Sequence, residues 1–238
     1  MARQRSSLTF ISAVAIALGV LSSPTYAQMR LEIRPVETIT LNTQQVLTGD
    51  KNGKSAVLAG ELRIPKPGTN RLPAVILVHG SGGLSALHDR WITEINNTGT
   101  ATFVLDSFSG RGITNTINDQ SQLDSLAMMV DAYRALASLA QHPRIDANRI
   151  AIMGFSKGAI AAVYSSNERF RKSYGPSNVE FPGHIGLYGP CNVAYHDDDK
   201  TTGKPIRLFH GISDDWVSIE PCRSDHLVGT QTSHSPIA

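Results

Sequence analysis

Residues 149–153 (RIAIM) form a short, mostly apolar run that leads directly into Gly154-Phe155-Ser156-Lys157-Gly158, and the small residues Ala159, Ala161 and Ala162 follow. The run suits a strand and the small residues suit a closely packed helix. A glycine-x-serine-x-glycine set between a strand and a helix constrains the backbone more than any other stretch of this chain. Its serine must stand on a sharp, strained turn. Side chains two positions to either side would collide with neighbouring backbone, and glycine removes that collision. The turn lifts the Ser156 hydroxyl above the sheet. It also leaves the Lys157 backbone N–H at a helix start, aimed at charge developing on a substrate oxygen. The pattern points to Ser156 as a nucleophile; the alternative is an ordinary glycine-rich strand-to-helix turn.

The segments around this turn predict its setting. Residues 74–78 (AVILV), 101–105 and 205–209 are further short apolar runs, residues 184–188 are a weaker one, and 56–64 reads as a strand stopped by Pro65, Pro67 and Gly68. Such runs suit strands buried on both faces of a parallel sheet. Leu123, Leu126, Ala127, Val130, Tyr133, Ala137 and Ala140 fall on one helical stripe, with Ser121 and Asp124 as a capping pair and Pro143 beyond the far end. Residues 159–168 are the next helical candidate. Alternating strands and helices predict an α/β fold with a mostly parallel central sheet and helices on both faces. No internal repeat or linker divides the chain.

The first 27 residues read as a secretory signal: Arg3 and Arg5, an apolar run over 8–21, the break Ser22-Ser23-Pro24, and small residues at Thr25 and Ala27. The apolar run is too short for a comfortable membrane span. Cleavage after Ala27 is expected to leave an exported, periplasmic or secreted protein with no stable membrane span. The formal net charge of +2 equals the charge of Arg3 and Arg5. The remainder is therefore balanced, which argues against a nucleic-acid partner.

Two further segments carry chemistry. His79-Gly80-Ser81-Gly82-Gly83 follows the 74–78 run, and its glycines would let the backbone approach a substrate. A second oxyanion N–H is expected from Ser81. His79 ends the strand and reads as a structural hydrogen-bonding residue. After 205–209 comes His210-Gly211-Ile212-Ser213-Asp214-Asp215-Trp216-Val217. Asp214 stands where an acid would orient a catalytic histidine, and Asp215 reads as a turn residue.

Taken together, HGSGG at 79–83, LDSFSGRG at 105–112, RIAIMGFSKGA at 149–159 and HGISDDWV at 210–217 resemble the dienelactone hydrolase family of α/β-hydrolases, over roughly residues 55–222. The likeness is to its exported, serine-using branch. It implies an α/β-hydrolase domain over 28–222 that cleaves small carboxylic esters or lactones through an acyl-enzyme, without a cofactor or metal. By this match Ser156 is the nucleophile and Asp214 the acid. Asp106 and Arg111 fall in the family's D-S-F-x-x-R-G segment, either as a pair that orders a loop near the pocket or as a solvated turn. The chain departs from the family in two ways. Its nucleophile is serine where the best-known members use cysteine. The histidine expected well beyond Asp214, after another helix and strand, has only His226 and His234 as candidates. The tail 223–238 is polar and shows no helical or strand period. A sheet lacking its last strand and helix is expected from this, and with it a second reading: an impaired or non-catalytic relative without the base.

Cys191 follows the 184–188 run and Cys222 follows the acid loop, so a disulfide between them is expected in an oxidising compartment, with two free thiols as the alternative. His196-Asp197-Asp198-Asp199 is a consecutive run that would not converge on a metal, and it reads as a solvated loop.

Overall fold

The computed structural model describes residues 29–224. Residues 1–27, expected to be a secretory signal, and the tail from residue 225, with His226 and His234, lie outside the described residues.

Among the described residues, seven strands form one sheet: β1 (Arg30–Thr40), β2 (Lys54–Ile64), β3 (Leu72–Val78), β4 (Ala101–Asp106), β5 (Ile145–Phe155), β6 (His184–Leu187) and β7 (Ile206–Phe209). Their order is β1-β2-β4-β3-β5-β6-β7. β1 pairs antiparallel with β2, and β2 antiparallel with β4; every pairing from β4 through to β7 is parallel. The apolar runs become the central strands because both of their faces are covered. Ile76, Val78, Phe103, Leu105 and Ile152 join the large core beneath α3 (Ser125–Ala140) and α4 (Lys157–Tyr164). The alternate residues Leu77, Val104 and Met153 join a smaller core with Ile92 of α2 (Ala86–Asn97). Helices therefore lie on both faces, as the sequence predicts.

α3 differs from the predicted one-sided stripe. Met128, Met129, Ala132, Ala135 and Leu136 are buried along with the expected Leu126, Ala127, Val130 and Tyr133, while Ala137 and Ala140 are half-buried, so it is a central helix covered nearly all round. The expected capping pair does not form. Ser121 lies in a 3₁₀ turn over Gln120–Gln122 and bonds to Asp119. The Asp124 carboxylate accepts instead from the Thr43 N–H (2.6 Å), at the start of α1 (Thr43–Thr48). The candidate helix over 159–168 is broken in two. α4 ends at Tyr164, and Asn167 caps α5 (Glu168–Tyr174) by accepting from the Arg169 and Phe170 N–H groups. The sequence reading places no helix at α1 or at α2.

Under α4, His184 of β6 is buried with its Nδ1 2.9 Å from the Ser165 hydroxyl and 3.1 Å from the Ala162 carbonyl. Burial pushes its imidazole down to about 4. The folded value lies below the ordinary one. Between pH 6.5 and 4 the unfolded chain therefore binds a proton that the folded chain does not, and stability falls as pH drops through that window. This group is expected to remove on the order of 3 kcal/mol between pH 7 and pH 4. Urea unfolding at both pH values checks it. His184→Gln should shrink the difference, and an equal loss in the variant would show that other groups cause it.

Candidate active site

The strand order turns back at the centre of the sheet: β3 is flanked by β4 on one side and β5 on the other. A crevice opens at the carboxyl ends of strands at such a point. Ser156 lies there, directly after β5, with φ 52° and ψ −116°, a conformation costly for any side chain. The surroundings hold it in place. Its N–H donates to the Leu187 carbonyl (2.9 Å), and its own carbonyl accepts from the Ala159 N–H (2.9 Å) in the first turn of α4. The steric argument for the flanking glycines holds: a Cβ on Gly154 would overlap the Gly158 carbonyl, and one on Gly158 would overlap the Val78 carbonyl.

The glycine loop after β3 lies against this turn. Gly80 comes so close that a Cβ there would stand 3.1 Å from the Cβ of Ser156. His79 is fully buried and serves the loop. Its Nδ1 is 2.8 Å from the Gly80 carbonyl, its Nε2 is 3.2 Å from the Ser107 N–H, and its ring meets Phe108 edge-on. Burial lowers its pKa, which keeps the ring neutral. The Lys157 N–H is the first of α4 and has no preceding helical turn to bond to. Ser81, Ser156 and Lys157 together line a cleft of about 460 Å³ with Gln120, Tyr164 and Trp216. A second depression of about 300 Å³ shares Ser81, Gln120, Ser156 and Trp216 and adds Leu87, His88, Ile117 and Tyr188. The serine thus stands where two hollows meet.

Asp214 is on the loop after β7. One carboxylate oxygen accepts from the Trp216 and Val217 N–H groups (3.0 and 2.9 Å) and the other is 3.5 Å from Nε2 of His210. His210 itself lies 2.7 Å from the Val217 carbonyl and faces a separate hollow with Phe209, Ile212 and Cys222. Among the described residues no histidine nitrogen is hydrogen-bonded to the Ser156 hydroxyl. Cys191 and Cys222 are joined by a disulfide. It closes a span of 31 residues that contains β7 and the Asp214 loop, a closure worth about 3–4 kcal/mol in the chain-entropy account.

The Asp106 and Arg111 segment orders its loop, though not through a bond between the two. Asp106 accepts from the Phe108 and Ser109 N–H groups. Arg111 instead reaches into the core and binds Asp131 of α3 with both terminal nitrogens (2.8 and 2.9 Å). The run His196-Asp197-Asp198-Asp199 is a loop whose Asp197 pairs with Lys200.

Three residues at the site escaped the sequence reading. Tyr188 has φ 42°, sits half-buried beside Phe155, and its hydroxyl is pushed up to about 12 by burial and by the charge of Asp214. Its only sequence signal is the Gly189-Pro190 that follows. His88 packs edge-on against Phe155 in the first turn of α2. Gln120 lies in a polar loop with no motif around it.

No family model matches the chain. A protein of Acanthamoeba polyphaga mimivirus, whose name places it among the alpha/beta hydrolases, is 29% identical over 125 residues; the match covers 50% of this chain and 32% of that protein, about a third of its length. Among solved structures, the dienelactone hydrolase-like promiscuous phosphotriesterase P91 from metagenomic libraries superposes with a TM-score of 0.60 at 15% identity, over 87% of this chain and 82% of its own. MGS-M1, an alpha/beta hydrolase enzyme from a Medee basin deep-sea metagenome, gives 0.56 at 16% identity, over 87% and 81%. A thermophilic esterase from Thermogutta terrifontis gives 0.56 at 15% identity, over 75% and 76%. At such identities the structural likeness speaks for the backbone: the chain has the α/β-hydrolase fold, and dienelactone hydrolase-like proteins are among those it resembles.

Proposed function

We propose that this protein is an exported serine hydrolase that cleaves carboxylic esters or lactones through an acyl-enzyme on Ser156. The observation that carries the reading is the strained serine at the junction of two hollows. A positive-φ serine with both neighbouring glycines sterically required is a conformation maintained against its cost. The esterase and hydrolase names of proteins with the same fold support it. In the proposed reaction the Ser156 Oγ attacks the ester carbonyl while a histidine takes its proton. The backbone N–H groups of Lys157 and Ser81 receive the oxyanion. Collapse expels the alcohol, or opens the lactone, and water then releases the acid. Asp214 would orient the histidine, for which His226 and His234 are the candidates. Export rests on the N-terminal segment, and the disulfide is in keeping with an oxidising destination.

A second reading is favoured by one observation. The Asp214 carboxylate is already engaged by two backbone N–H groups, and His210, 3.5 Å from its other oxygen, lines a hollow separate from the cleft that holds Ser156. A non-catalytic relative would look the same. Fluorophosphonate labelling read by intact mass separates the two, because the probe reacts readily only with an activated serine. A single adduct mapped to Ser156 is expected. A folded, monodisperse protein that takes up no probe would sink the hydrolase reading.

A further inference from the structure

We propose that Gln120 is a positioning residue for the oxyanion site: held by the Lys157 side chain, its amide oxygen anchors the Ser81 hydroxyl and thereby sets where the Ser81 backbone N–H points. This inference rests on the hydrolase reading above.

Lys157 is only 5% exposed, although it bears an ammonium group next to the serine. Burying such a group is costly unless its donors are satisfied. Here all three are. The Nζ atom donates to the Gln120 carbonyl (2.8 Å), the Gln120 side-chain oxygen (3.1 Å) and the Thr116 hydroxyl (3.3 Å). None of these acceptors is a carboxylate; Asp124 and Asp119 act on the lysine only through space, and burial leaves it at about 8. The ammonium is thus spent on gripping one loop.

That loop in turn grips Ser81 at two points. The Thr116 N–H donates to the Ser81 carbonyl (2.8 Å), and the Ser81 hydroxyl donates to the Gln120 side-chain oxygen (3.0 Å). Ser81 and Lys157 lie 76 positions apart, on the turns after β3 and β5, and supply the two N–H groups assigned to the oxyanion. Gln120 and Thr116 tie them into one hydrogen-bonded cluster. Gln120 is itself exposed and contributes little packing, so its bonds are what it has to offer. An oxyanion site works only when its donors already stand where charge will develop, and small displacements are costly.

Gln120→Met keeps the side-chain length and removes the acceptor. With wild-type protein that labels with fluorophosphonate and turns over a p-nitrophenyl ester, this variant is expected to lose about 10- to 100-fold in kcat. KM should stay within about twofold, since the interaction is made in the transition state, and the thermal midpoint should fall by only a few degrees, because the Lys157 ammonium loses one acceptor but keeps the Gln120 carbonyl and the Thr116 hydroxyl. Ser81→Ala leaves the backbone N–H in place and should lose a similar factor. The double variant should be no slower than the slower single variant, because both break one linkage. A wild-type kcat in Gln120→Met, a loss confined to KM, or multiplicative losses in the double variant would each overturn the proposal while leaving the hydrolase reading standing. A wild type that neither labels nor turns over would overturn the hydrolase reading, and this inference with it.

Discussion

Ser156→Ala is expected to lower kcat for ester hydrolysis by roughly 10⁴- to 10⁶-fold and to abolish fluorophosphonate labelling. The size of the effect follows from the division of labour at the turn. On the proposed mechanism, removing the hydroxyl removes the covalent route, while the two backbone donors and the cleft stay, so only the residual rate from binding and oxyanion stabilisation would survive. The fold should not suffer. The Ser156 backbone is held by the Leu187 carbonyl and by the first turn of α4, and neither bond involves the hydroxyl. Ser156→Gly sharpens the test. Glycine accepts φ 52° without a Cβ penalty, so this variant should be as inactive as alanine yet more stable by about 1 kcal/mol. Urea unfolding beside the kinetic assay reads both. Substantial turnover in Ser156→Ala would move the chemistry to another residue. A Ser156→Gly no more stable than Ser156→Ala would show that the turn stores no strain.

Arg111→Met is expected to destabilise the protein by about 3–5 kcal/mol, because it strands a buried carboxylate. Asp131 is fully buried in the middle of α3, and Arg111 shields it with two hydrogen bonds while donating also to the Ser107 carbonyl (2.7 Å) and the Thr40 hydroxyl (2.7 Å). Thr38 adds a third hydrogen bond to Asp131 at 2.8 Å. The cluster thus joins β1, the turn after β4 and α3. A buried pair is not stabilising in itself; its removal as a unit can be nearly neutral. The double variant Arg111→Met/Asp131→Leu should therefore regain much of the loss. Urea midpoints at constant m-value decide it. A single variant within about 1 kcal/mol of wild type would mean that water reaches the Asp131 carboxylate in solution.

The sequence by itself determined the elements whose causes are local. The serine turn was legible because the collision that demands Gly154 and Gly158 is generated within a few residues of Ser156 and the strand beside it. The central strands were legible because burial on both faces leaves an unbroken apolar run, and the mostly parallel sheet followed from strands alternating with helices. The tertiary structure alone decided which polar groups meet. Arg111 binds Asp131 and not the nearer Asp106; Gln120 joins Ser81 to Lys157; Asp214 bonds to its own loop, with His210 beside it. Such partners lie on different elements, and a polar side chain shows in its sequence only that it needs a partner. Which one it finds depends on how the strands and helices are brought together, and at this site that choice links Ser81, Gln120 and Lys157 in the cleft that holds the serine.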